Sequence, residues 1–176
     1  LTISFCSCND GDFDVPSFEF TSDVESCGEY VIYMKNSTST EVIILTLTTT
    51  NIGTTVGDKT VAISTTSSVT YRILEDVIGS NYFCQSIPPS TPRVLKELIA
   101  DSGTINITTA EILTNEVITG YTYTITISDL LFNDVNERIF FESFDFGILT
   151  VNLYYSDKYK LQWLLIHTFE RKLHKI

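Results

Sequence analysis

The sequence predicts an all-β fold, an antiparallel sandwich of immunoglobulin-like or Greek-key type with about nine or ten strands, and three observations carry that expectation. Thr, Ser, Ile, Val, Tyr and Phe dominate, and these residues fit a half-buried pleated surface. Strand signals recur at close spacing, punctuated by Asn, Asp, Gly and Pro. A single Met and few Ala argue against helices.

The elements follow in order. Residues 9–17 hold no periodicity and read as a tether, with Gly11 and Pro16 among acids. Glu29 to Lys35 is the first strand, ended by the polar turn Asn36 to Thr40. Glu41 to Thr50 follows, with Ile43, Leu45 and Leu47 on one face and Val42, Ile44 and Thr46 on the other. Turns at Asn51-Ile52-Gly53 and Gly57-Asp58 bracket the step to Thr60–Ser64, and Val69–Leu74 and Tyr82–Ser86 come next. Pro88, Pro89 and Pro92 lack the amide a central strand needs, so that stretch is expected to cross from one sheet to the other. Val94–Ala100 reads as a strand rather than a helical turn. Asp101-Ser102-Gly103 then makes a tight turn into Thr104–Thr108. Gly120–Ser128 is the clearest element: Tyr121, Tyr123, Ile125 and Ile127 point one way, and Thr122, Thr124, Thr126 and Ser128 the other. The turn at Asn133-Asp134-Val135-Asn136 leads into Arg138–Phe146.

At 176 residues the chain is one domain, long enough to bury its own core, and 43% hydrophobic content excludes general disorder. A net charge of −11 argues against nucleic-acid binding, which needs a basic footprint. No stretch approaches the roughly 18 to 20 apolar residues of a transmembrane helix.

The N-terminus supplies an address. Leu1–Phe5 is an apolar stub, Ser7 is small, and Cys8 follows at once, as in the last part of a secretory signal that ends in a lipidated cysteine. Cys6 competes, but bulky Phe5 before it suits a signal peptidase poorly; the plainer alternative makes both ordinary thiols. The chain opens on Leu1 with neither Met nor a basic region, as expected of a truncated start. Asp10, Asp12 and Asp14 alternate as calcium ligands do, yet the loop pattern then wants Gly and Glu where Val15 and Thr21 stand, so no metal is expected.

Asn9, Asp10, Asp12, Phe13 and Asp14 behind Cys8 resemble the acidic export signal of Bacteroidota lipoproteins, flavobacterial ones in particular, with Gly11 interrupting the acidic pair. The remainder, with its cysteine pair, Ile-Pro-Pro segment and aromatic-Gly ending, looks more loosely like uncharacterised flavobacterial lipoproteins over Phe18 to Gly147. The resemblance implies an outer-membrane lipoprotein exposed at the cell surface. It implies no activity. Domain organisation then reads as 1–7 signal remnant, 8–17 lipidated tether and export signal, 18–156 sandwich, and 157–176 tail.

With Cys6 and Cys8 in the export signal, Cys27 and Cys84 remain, and an oxidising envelope favours a bond between them over two free thiols. Both are expected at the rim of the sandwich, Cys84 within a strand.

Residues after Tyr155 differ in kind. Lys158, Lys160, Arg171, Lys172 and Lys175 gather there with both His, and Leu161, Leu164, Leu165, Phe169, Leu173 and Ile176 recur at helical spacing. A membrane-surface helix, a helix capping the sandwich and translation past a disrupted stop all remain open.

No catalytic motif is present: no nucleophile elbow, zinc-protease helix or phosphate-binding glycine loop occurs. His167 and His174 stand seven apart without a partner ligand, and Glu142 and Asp145 are expected on opposite faces of one strand. Tyr71, Tyr82, Tyr121 and Tyr123 could make a sugar-stacking platform, although aromatics at strand period are more often core. The functional expectation is a non-enzymatic, cofactor-free structural or protein-binding module, anchored to the membrane by lipid and meeting another envelope protein. The alternative is a carbohydrate-binding module of a glycan-uptake system, by analogy with other sandwiches.

Overall fold

The computed structural model describes residues 18–27, 31–48, 50–85, 87, 89–135 and 138–153. Eight strands and no helix occur among them: β1 Glu25–Cys27, β2 Val31–Lys35, β3 Glu41–Thr46, β4 Gly57–Ala62, β5 Ser68–Leu74, β6 Val94–Thr114, β7 Val117–Asn133 and β8 Arg138–Asn152. The fold is all-β and antiparallel throughout, as the composition predicts.

The route differs from the expected Greek key. Strands lie in the order β1-β2-β3-β5-β6-β7-β8, with β4 set against β6, so most strands pair with a chain neighbour. The two layers are the two halves of one curled sheet. Ile43, Leu45, Val69 and Tyr71 from one half share a core with Ile105, Ile107, Tyr123, Ile125, Ile127, Phe144 and Phe146 from the other.

A line of skipped alternation bends the three long strands. On β7 both Ile127 and Leu130 are buried, and between them Asp129 sits at φ 53°. Opposite, Phe141 and Phe144 of β8 both pack on the core. On β6 the skip falls at Asp101 to Gly103, flanked by buried Ala100 and Ile105. Gly103 has φ +150°, and a Cβ there would lie 3.3 Å from both the Leu130 Cα and the Ser128 carbonyl oxygen. Asp101-Ser102-Gly103 is therefore a bulge inside one 21-residue strand rather than the turn between two, because the neighbouring β7 ladder carries straight past it. That merger accounts for one of the missing strands.

Tyr82–Gln85 accounts for another. These residues form turns, and the segment from Glu75 to Arg93 leaves β5 and returns to its neighbour β6 instead of crossing between layers. It covers the outer side of the first half. Tyr33, Val42, Ile44 and Leu74 are buried there with Ile78 and Cys27, and Tyr82 and Phe83 pack against them. Strands β2 and β3 are thus covered on both faces, which is why Val42 through Leu45 are all buried.

The open seam on the inner side is filled by the residues before β1. The Phe18 ring stacks on Tyr71 at 4.4 Å and contacts Phe132 and Phe141 at 5.5 and 5.1 Å. Phe20 meets Phe144 at 6.1 Å edge-on. Backbone amides of Thr21 and Ser22 donate to the Lys35 carbonyl, fixing this segment to the end of β2.

Candidate functional site

Where β6 changes partners the sheet forks. Strand β5 pairs with β6 up to Thr70 opposite Ile99, and β4 takes over only at Ala62 opposite Thr104. Residues Ala100 to Gly103 lie between the two ladders, and the Ile63 amide donates to the Gly103 carbonyl to hold the fork open at a fixed width. The Ser64–Ser67 turn closes its far side.

That turn is tightly held. Ser64 and Ser67 exchange backbone bonds, and the Ser67 amide also donates to Ser64 Oγ. Ser67 is 3% exposed, and its hydroxyl donates to Asn51 Oδ1 at 3.1 Å. The same oxygen accepts from the Thr48 amide and hydroxyl at 2.9 and 2.6 Å. One amide side chain therefore joins the loop after β3 to the turn before β5.

The fork encloses a cleft of about 500 Å³ open to solvent, lined by Ile63, Ser64, Thr65, Ser68, Thr70, Ile99, Ala100 and Asp101. Its size lies in the range of small-molecule sites. Ser68 and Thr70 alternate with buried Val69 and Tyr71, so both hydroxyls face outward into it. Among the described residues, the side chains of Thr65, Ser68, Thr70 and Asp101 have no hydrogen-bond partner, whereas Ile99 is 58% exposed beside them. Chemically this is a wall of free hydroxyls with one carboxylate and an apolar shelf.

None of these residues stands out in the sequence as a candidate site. The run Ser64-Thr65-Thr66-Ser67-Ser68 between two apolar strands was a readable signal of a short polar wall, but the partner change on β6 was hidden by its resemblance to a turn.

The tyrosines expected as an alternative platform are placed elsewhere. Tyr71, Tyr121 and Tyr123 are 0 to 5% exposed in the core, so their rings offer no face to a sugar. Tyr71 donates to Glu41 at 2.6 Å and Tyr123 to the Gly53 carbonyl at 3.1 Å. Desolvation raises the Tyr123 phenol to about 12, and burial with the nearby Glu25 carboxylate raises Tyr33 further. Tyr82 packs edge-on to Phe83 and donates to the Pro92 carbonyl. The structure brings none of the four to a common surface.

Cys27 and Cys84 are bonded, with Cα atoms 4.8 Å apart, as their isolation in the sequence suggested. Cys84 lies in a turn of the 75–93 segment, not in a strand, and the bond ties that cover to the end of β1. Glu142 and Asp145 are both exposed; the skip between Phe141 and Phe144 places them on one side, correcting the expectation of opposite faces. Cys8, Asn9, Asp10, Asp12, Phe13 and Asp14 lie outside the described residues, as do His167, His174 and the 157–176 tail. Compared with protein-family models, curated proteins and solved structures, the chain matches none.

Proposed function

We propose that this chain is a non-catalytic lipoprotein of the flavobacterial type, held at the outer face of the outer membrane by a lipid on Cys8. Its sheet serves as a structural or protein-binding module there. The observation that supports this reading is how the fold receives the tether. Phe18 and Phe20, the first described residues after it, are wedged among Tyr71, Phe132, Phe141 and Phe144. A pull transmitted along residues 8–17 would meet the partly buried rings of Phe18 and Phe20 first, then the β1–β2 ladder, then the Cys27–Cys84 bond. Cys8→Ala should release the protein from the membrane fraction and remove the acyl mass, while Cys6→Ala should keep both. Lipid found on Cys6, or on neither, overturns the reading. Replacing Asp10, Asp12 and Asp14 with Ala should retain the lipid but protect the domain from protease added to whole cells.

The fork cleft favours one second reading, a carbohydrate-binding module of a glycan-uptake system. Hydroxyls and a carboxylate around an apolar shelf are groups that hold a sugar ring.

A further inference from the structure

Four side chains whose polar atoms have no protein partner among the described residues line one cleft, and their chemistry narrows what can occupy it. Thr65, Ser68 and Thr70 can each donate and accept, so they suit a ligand that does both. Asp101 only accepts, and one carboxylate can take two adjacent hydroxyls. The lining carries no cation, and the chain has a net charge of −11, so an anion would be repelled on approach. Ile63 and Ile99 offer surface to C–H groups and nothing to a charge. The combination fits a neutral ring that bears hydroxyls on its edge and C–H bonds on its face.

The wall is also set in advance of any ligand. Ser64 and Ser67 are locked to each other, Ser67 is locked to Asn51, and Ile63 is locked to Gly103. Little ordering is left for binding to impose, and rigidity of this kind preserves affinity for a small ligand.

We propose that the fork between β4 and β5 is a binding site for a single neutral sugar residue, Asp101 accepting two of its hydroxyls and Ser68 and Thr70 flanking them. The proposal rests on the glycan-binding reading above. It goes further by assigning the residues and the neutral class.

The test uses the full chain, ¹⁵N-labelled, titrated with methyl glycosides of neutral hexoses and of N-acetylhexosamines, with sialic acid as the charged comparison. A ring of this size filling such a cleft should bind with Kd on the order of 1 mM. Amide shifts should concentrate at residues 63–70 and 99–103. Asp101→Asn should weaken binding roughly ten- to hundred-fold, as loss of a charged acceptor does. Thr70→Ile, which replaces a hydroxyl in the lining with a bulkier apolar group, should weaken it further, and Glu142→Gln, exposed on β8, should change nothing. Unaltered amide spectra elsewhere show that the variants are folded. Sugar-induced shifts outside the fork, or binding that neither Asp101→Asn nor Thr70→Ile weakens, overturn the site but leave the glycan reading standing. No shift with any neutral glycoside at tens of millimolar overturns both.

Discussion

The strands after the bend and the segments around the fork are held in opposite ways. Over Thr104 to Ile112, Gly120 to Thr124 and Ile148 to Asn152, β6, β7 and β8 repeat one device: a continuous ladder with an apolar inner row. Any single bond there is one of many. Beside the β2–β3–β5 ladder of the first half, the 75–93 cover and the fork are fastened by individual ties. One disulfide fastens the 75–93 cover, one amide joins two loops, and one glycine permits the bulge. A repeated pattern is tolerant of loss, whereas these ties have few neighbours to replace them: beside the disulfide, the cover has the Ile78 amide on the Ser39 carbonyl and the Tyr33 hydroxyl on the Ser80 carbonyl.

The largest test of that contrast is the disulfide. Closing a loop with a sequence separation of 57 should stabilise by about 4 kcal/mol. Replacing Cys27 and Cys84 together with Ala should lower the denaturant midpoint accordingly, and reductant should do the same to the unaltered chain. Hydrogen exchange should accelerate in β1, β2 and residues 78–85 while β6 to β8 keep their protection. Uniform loss across both regions would erase the distinction.

Next comes a side chain inside the repetitive half. Tyr123 is fully buried, and its phenol is held at about 12 by desolvation. The neutral form is the one the fold favours. Its contribution is therefore complete below about pH 10, the unfolded value, and is lost as pH rises from there through about 12. The loss by pH 12 is on the order of 2–3 kcal/mol. Tyr123→Phe should flatten this part of the stability curve and cost little at pH 7, because the ladder and ring packing remain. Parallel alkaline curves for the two proteins would count against the assignment.

How much of this the sequence revealed follows the same division. Strand β7 was legible because Tyr121, Tyr123, Ile125 and Ile127 alternate with threonine, and alternation is what a strand with one buried face imposes on a chain. The pairing of Cys27 with Cys84 was legible by elimination. The fork was not. Asp101-Ser102-Gly103 has the composition of a turn, and only the uninterrupted β7 alongside makes it a bulge. Likewise Glu142 and Asp145 share a side because β8 follows the skip at Asp129 on its partner, a non-local fact that no count along β8 contains. The cleft is built from that same non-local choice.

Asn51 tests the fork's own tie. Asn51→Ala removes the acceptor for the Thr48 amide, the Thr48 hydroxyl and the Ser67 hydroxyl, the last of which is buried. Leaving a buried hydroxyl unsatisfied should cost about 2 kcal/mol. The sharper readout is local: amide exchange at residues 63–68 should speed up, and sugar binding at the cleft should weaken although Asn51 does not line it. Asn51→Asp, which keeps the acceptor oxygen, should recover much of both. If stability falls while exchange at 63–68 is unchanged, the turn is held by its internal Ser64–Ser67 bonds instead.

The smallest effect is expected where a tie lies at the surface of the long strands, on the near side of their bend. Lys96 of β6 pairs with Asp134, just after β7, and this hydrogen bond, with help from the Val135 amide, holds the carboxyl below its ordinary range. A lowered folded value means the contribution is present above the unfolded value, near pH 4, and is lost as pH falls below it. Because the pair is solvated and the strands on either side are already fixed by their ladders, Asp134→Asn should leave the neutral-pH midpoint within error. Only the acid limb below pH 4 should move, and 1 M salt should erase even that difference. A loss at neutral pH comparable to that of Asn51→Ala would mean that the turn between β7 and β8 depends on a single tie as the fork does, and the contrast between the two regions would fail at that corner.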